Sequence, residues 1–415
     1  MMRRSLTVTL TVFLSITCLH TIAHTTLQED HPHAHGFKEW MSRHNKQYSV
    51  HEVNARFAIW KSNHDFIREH NAKNLPWTLE MNSYGDLTNE EFSALHLGLD
   101  PTIASLEKEG LRRNLEETSD SKTNDTDAEI APSPANGTDS GNNLDMRSSS
   151  NDTENEAAAN NTKNNSNLGN NTTANSSQSN STANSSNTSD ISTNYQVNSS
   201  RKPAVDWRNL TSVKKQGSCG ACWAFGSVGA LEGLYALKYN KTIDLSEQQL
   251  VDCSTPFGNT GCWGGSFGRS FNYTRSHGVQ LASDYPYTGK NDECKYDEKK
   301  VVFKNVDYKI IPENDIAALK AVVAVQPVAG GIDCRNDWIQ FYKSGVISSD
   351  CGGSVSHGIL IVGFDSTPDG QEYWIIKNSW GPTWGENGFA RIAMGNQNDG
   401  AGVCGINTYG VYPTL

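Results

Sequence analysis

The chain lacks any apolar run long enough to cross a bilayer, which takes about 20 residues. In its place, Met1-Met-Arg3-Arg4 leads into an apolar stretch from Leu6 to Leu19. That is the pattern of a secretory leader, with cleavage expected at Ala23, removal of residues 1–23 and no stable membrane anchor. Cysteine is missing between Cys18 and Cys219. Once Cys18 goes with the leader, the eight remaining cysteines all lie beyond Lys202, and such clustering in an exported chain implies disulfides and an oxidising compartment. The secretory pathway is therefore expected, ending in a lysosome-like compartment or outside the cell. A basic excess is missing as well. The whole chain carries −11, yet Arg201 to Leu415 holds 20 Lys/Arg against 21 Asp/Glu, so almost all of the negative charge sits in the first 200 residues and no nucleic-acid footprint is present. Aromatics nearly vanish from residues 115–200, where Tyr195 stands alone among Asn, Ser, Thr and Asp. A segment of that composition cannot offset its ordering entropy by burial, so a disordered linker is expected. About a dozen Asn-x-Ser/Thr sequons, among them Asn124, Asn136, Asn151, Asn175, Asn184 and Asn198, would make it a glycosylated tether.

What is present is concentrated further on. Gln216-Gly-Ser-Cys219-Gly-Ala-Cys222-Trp223 leads into Phe225, Val228, Leu231 and Tyr235 at helical spacing. Cys222 is thus expected on the first turn of a buried helix, where the N-terminal dipole favours a thiolate, with Gly220 and Ala221 allowing another backbone to approach. A thiolate needs a base. His357 in Val355-Ser-His-Gly-Ile-Leu-Ile-Val-Gly and Asn378 in Trp374-Ile-Ile-Lys-Asn-Ser-Trp380-Gly each lie at the end of an apolar, β-branched run that reads as a strand. Taken alone, Cys219-x-x-Cys222 could equally be a redox pair or half a zinc site. No second Cys-x-x-Cys follows and no βαβ pattern surrounds it.

Cys222, His357 and Asn378, in that order and in those motifs, resemble the papain-like cysteine proteases. The resemblance implies an α+β fold of two domains meeting at a cleft, a helical one headed by Cys222 and a β-barrel-like one carrying His357 and Asn378. It also implies a peptidase domain over residues 203–415, beginning near Ala204-Val-Asp206-Trp207-Arg208. Cys222 would attack a peptide carbonyl to form a thioester, His357 would serve as acid and base, and Asn378 would orient the imidazole beneath Trp380. Gln216 and the Cys222 backbone N–H would form the oxyanion hole. Gly264, Gly265, Phe267, Gly331, Val355, Gly358, Trp384 and Tyr409 would line the substrate cleft, with Tyr409 closing the floor of the pocket for the second residue before the cleaved bond. No occluding insertion separates Asp252 from Cys262-Trp-Gly-Gly265, which favours an endopeptidase. By the same resemblance the bridges are Cys219 with Cys262, Cys253 with Cys294, and Cys351 with Cys404. Cys334 is left over, standing where relatives carry a small residue, and Ser356 replaces the Asp or Asn often found before the histidine. The expected partners are protein or peptide substrates, the chain is expected to act as a monomer, and no cofactor is implied. A catalytically silent relative, or a thiol-disulfide protein using Cys219 and Cys222, is the alternative.

Glu52, Arg56, Trp60, Asn63, Ile67 and Asn71 recur at steps of three and four, which puts them on one helix face. That could be an ordinary amphipathic helix. The series also resembles the inhibitory propeptide helix of cathepsin L-like zymogens, with Trp60 in place of the usual Phe. Asn82-Ser-Tyr84-Gly-Asp86 resembles the second propeptide motif, with Glu80 departing from its usual glycine. Thr88-Asn-Glu-Glu91 reads as a capping box. The resemblance implies a helical inhibitory propeptide over residues 37–97 and a zymogen held by its own propeptide. The His31-Pro-His33-Ala-His35 run lies near the terminus, and no metal site is expected there.

Overall fold

The computed structural model describes residues 31–99, 102, 204–349 and 351–415. The expected leader (1–23) and linker (115–200) lie outside the described residues, which belong to one compact unit. Two helices, α1 (Ala34–Arg43) and α2 (Val53–Ala72), open the fold. Phe37, Trp40, Phe57 and Trp60 make a small core of their own between them, with the Phe37 and Trp60 rings 5.6 Å apart.

The polar members of the α2 face do more than meet solvent. Arg56 pairs with Glu91 at 2.7 Å and donates to the Asp86 carbonyl, Asn63 donates to the carbonyls of Gly85 and Leu87, and Asn71 bonds the Leu79 backbone through both its amide atoms. They bind the loop after β1 (Trp77–Leu79) onto the helix. Helix α3 (Asn89–His96) then starts from the capping box read in the sequence, with Thr88 accepting from the Glu91 N–H and the Glu91 carboxylate accepting from the Thr88 N–H.

Beyond residue 203 a helical half and a sheet half share a face. The helical half holds α4 (Cys222–Tyr239), α5 (Glu247–Cys253) and α6 (Phe267–His277), together with the short pair β3 (Val279–Gln280) and β4 (Val301–Phe303). The sheet half adds β2 (Val205–Asp206), β5 (Asp307–Ile310), α7 (Ile316–Val323), β6 (Val328–Ile332), β7 (Tyr342–Ile347), β8 (His357–Ser366), β9 (Glu372–Lys377), β10 (Phe389–Ala393) and β11 (Gly410–Thr414). The strands run β1-β7-β10-β9-β8-β6-β11-β5, with β2 on β8.

β8 organises the two halves. Successive strand residues face opposite sides, and here Ile359 and Ile361 enter the sheet-half core while Leu360 and Val362 enter the core around α4. A strand buried on both faces reads as a continuous apolar run, which is why the segment after His357 lacks alternation. The N-terminal unit docks by adding β1 to the edge strand β7, pairing Trp77 with Gly345. Gly345 has φ +102°, and a Cβ there would stand 2.2 Å from the Pro76 carbonyl oxygen. Disulfides join Cys219 to Cys262, Cys253 to Cys294 and Cys351 to Cys404, leaving Cys222 and Cys334 free and buried.

Candidate active site

Three element ends converge. Cys222 is the first residue of α4, His357 the first of β8, and Asn378 follows directly on β9. His357 Nε2 bonds Asn378 Oδ1 at 2.8 Å, and the Trp380 ring lies 4.6 Å from the imidazole, shielding that bond. With Nε2 so engaged, Nδ1 is the nitrogen left for proton transfer. The backbone N–H groups of Gly358 and Gly98 are directed at the Cys222 sulfur. Gln216 is wholly buried, its carbonyl accepting from Ser379 Oγ at 2.6 Å and its amide donating to the Cys219 carbonyl at 2.8 Å. Its backbone N–H is pinned to the Ser379 carbonyl. Such a set provides a thiol, a base oriented by an amide, and a fixed amide donor for charge developing on a carbonyl oxygen.

The N-terminal unit occupies this site. After α3 the chain runs extended through the cleft, and the His96 carbonyl accepts from the Gln216 side-chain amide at 3.0 Å. Gly98 accepts from the Gly265 N–H at 3.0 Å, and Leu99 donates to the Ser356 carbonyl at 3.2 Å. The Leu99 side chain rests on Gly331 and Val355 in the same apolar cluster as Phe267 and Tyr409. Gly98 is pressed against Gly220, and a Cβ on it would lie 1.8 Å from the Gly220 carbonyl oxygen. The approach that Gly220 permits is thus made by the chain's own N-terminal unit. Tyr84 donates to the Trp380 carbonyl at 3.2 Å, Phe92 stands edge-on to the Trp380 ring at 4.8 Å, and Asn82 donates to the Gln340 carbonyl at 2.6 Å.

Burial sets the protonation of the pair. Loss of water pushes the Cys222 thiol up to about 11, only partly offset by the backbone N–H groups around it. The same cause lowers His357 to about 4 against the opposing pull of Asn378. Both are therefore neutral in this state, and the thiolate–imidazolium pair is suppressed while the cleft is covered. Cys334 is fully buried with its thiol pushed well above the usual range by desolvation, so it packs as an inert small residue; its N–H donates to Ser356 Oγ.

The structure gathers Cys222, His357, Asn378 and Gln216 at one point. Gly264, Gly265, Phe267, Gly331, Val355, Gly358 and Tyr409 flank the Leu97–Leu99 strand or the pocket beneath it, with the Phe267 and Tyr409 rings stacked at 5.2 Å. Trp384 stands apart, buried against Trp380 with its indole N–H on the Ile339 carbonyl. Sequence reasoning missed His96, Gly98 and Leu99. An extended segment without periodicity carries no signal beyond the glycine between two leucines.

Residues 202–414 match the papain family cysteine protease domain, and residues 37–92 match the cathepsin propeptide inhibitor domain. The chain belongs to the papain family of cysteine proteases. It is a hydrolase made as a proform, carrying its inhibitor domain in the same chain. It is 44% identical over 218 residues to a cathepsin L-like protein of Caenorhabditis elegans, a match covering 51% of this chain and 64% of that protein. To vignain of Ricinus communis it is 31% identical over 382 residues, 91% of this chain and 84% of that one. Among solved structures, digestive procathepsin L 3 of Tenebrio molitor larval midgut aligns with a TM-score of 0.64 at 30% identity, over 93% of this chain and all of that one. No helix among the described residues is long and apolar enough to cross a membrane.

Proposed function

We propose that Cys222 is the nucleophile of an endopeptidase, that His357 takes its proton through Nδ1 and returns it to the leaving amine, and that Asn378 fixes the imidazole. Gln216 and the Cys222 N–H hold the developing oxyanion. The observation that carries this reading is the His96 carbonyl accepting from the Gln216 amide, a peptide oxygen held by the same donor that a scissile carbonyl would use. Residues 37–97 then act as the inhibitory propeptide and residues 203–415 as the peptidase domain, joined by the glycosylated linker of residues 115–200 after loss of 1–23. The enzyme works as a monomer on protein or peptide substrates, in a lysosome-like compartment or outside the cell.

Leu99 gives the size of the pocket for the second residue before the scissile bond. The Leu99 side chain lies against Gly331 beside Val355, in the same apolar cluster as the stacked pair Phe267 and Tyr409, which supports a shallow apolar pocket preferring Val, Leu or Pro to Phe. Arginine is rejected for want of a carboxylate placed to pair with it. The test is substitution: Cys222→Ala and His357→Ala each abolish peptide cleavage, while Asn378→Ala leaves a weakened enzyme. Turnover retained in Cys222→Ala removes the assignment.

A further inference from the structure

We propose that His33, His64 and Asp65 form a binding site for a divalent transition metal of the zinc type, clamping the start of α1 to the middle of α2 in the propeptide. One donor atom from each lies within 4.8 Å of the other two, the one such grouping among the described residues. The His33 and His64 rings are 4.9 Å apart, and His31 lies 5.5 Å from His33. All three proposed ligands are half-buried, so the site is reachable from solvent yet partly walled. Two imidazoles and one carboxylate suit zinc, and three protein ligands leave a fourth position for water or for His31, whose Nδ1 already accepts the His33 N–H.

Ligands about 2.1 Å from a tetrahedral zinc stand about 3.4 Å apart, so the most widely spaced donors must draw in by up to about 1.4 Å. Half-buried side chains can make that rotamer shift. Asp65 is shared at present: Lys61 pairs with its Oδ2 at 2.7 Å, Arg68 approaches at 3.7 Å, and His64 Nδ1 lies 3.4 Å from its Oδ1. Oδ1, which faces His64 and Arg68 at these longer distances while Lys61 holds Oδ2, is the oxygen placed to turn to a metal, and the cation would displace Arg68 and compete with Lys61 for the same carboxylate. Trp60 stacks on His64 at 5.3 Å, which makes its indole a built-in reporter. His33 precedes α1 and the two partners sit one full helix later, so the metal would tie the N-terminal segment to the Trp40 and Trp60 core.

The experiment is equilibrium dialysis of the full-length proform against zinc at neutral pH, with tryptophan emission followed in parallel using cobalt. The expected result is one zinc per chain, weakened about tenfold or more in His33→Ala and in His64→Phe, the scale of loss seen when a metal site is damaged. His64→Phe keeps a ring against Trp60, so weakened binding with an unchanged circular dichroism spectrum reports lost ligation. Equal zinc uptake by wild type and by the double variant His33→Ala/His64→Phe overturns the proposal, as does a wild type that retains no zinc.

Discussion

His96 should make the grip of the propeptide fade in weak acid. Its side chain is 2% exposed, wedged between Tyr84 and Phe92 at ring distances of 4.9 and 4.7 Å, with Nδ1 making no hydrogen bond. Burial, with smaller contributions from Lys215 and Lys46, lowers it to about 4; the Gly217 carbonyl works the other way but does not overcome this. His357 is close enough to oppose a second positive charge. A released propeptide exposes the imidazole, restoring a value near 6.5. The sign follows directly. Above pH 6.5 both states are neutral and affinity is full; between 6.5 and about 4 only the released form binds the proton, so affinity falls as pH drops; below about 4 it levels off. The gap of about 2.5 units corresponds to about 3.4 kcal/mol, or about 300-fold. That figure is a ceiling, because Tyr84 and Phe92 belong to the propeptide and keep part of the burial after release. The catalytic pair adds little slope, since forming the ion pair moves a proton from Cys222 to His357 without taking one up. The assay is the inhibition constant of the propeptide segment added in trans to mature enzyme between pH 7.5 and 4.5, for wild type and His96→Phe. His96→Phe keeps an aromatic ring and the backbone carbonyl on Gln216 but cannot titrate. An unchanged pH slope in His96→Phe refutes the reasoning.

Gly98→Ala should weaken inhibition about tenfold or more and speed activation of the proform, since the added Cβ meets the Gly220 carbonyl backbone rather than a movable side chain; unchanged activation kinetics would mean the segment shifts freely. Tyr409→Ala should open the pocket floor beneath Phe267, raising cleavage of substrates with Phe rather than Val as the second residue before the cleaved bond by about 1–3 kcal/mol of discrimination, read by a peptide library profile. Arg56→Ala should destabilise the propeptide rather than the peptidase domain. Its partner Glu91 is held below the usual carboxylate range by that pairing, so the contribution is present above about pH 4.5 and is lost as pH falls through the lowered value; the variant's N-terminal unit should melt at lower temperature at neutral pH, with the gap to wild type narrowing in acid.

The catalytic constellation was legible because its chemistry demands rare residues in fixed surroundings: a cysteine at a helix start, a histidine opening an apolar strand, an amide beside a tryptophan. The α2 series was legible from its period, though not its partners, because periodicity reports a face and not what meets it. Arg56 and Asn63 proved to bond backbone carbonyls of the loop after β1, and Asn71 that of Leu79 at the end of β1. The passage of Leu97–Leu99 through the cleft was invisible, since an extended strand held by backbone bonds to Gly265 and Ser356 needs no side-chain pattern. Nor could spacing bring His33 to His64 and Asp65: the His31-Pro-His33-Ala-His35 run points to its own members, whereas helix packing supplies the partners.

The central claim is that Cys222 becomes an acylating thiol only when the propeptide leaves. Mature enzyme and intact proform should each be mixed with a slowly hydrolysed peptide ester, quenched in acid and mapped by mass spectrometry. The account predicts one acyl group on Cys222 of the mature enzyme and none on the proform, with Cys219 still bridged to Cys262. Acylation at another residue, or equal labelling of Cys222 in the covered proform, would contradict it.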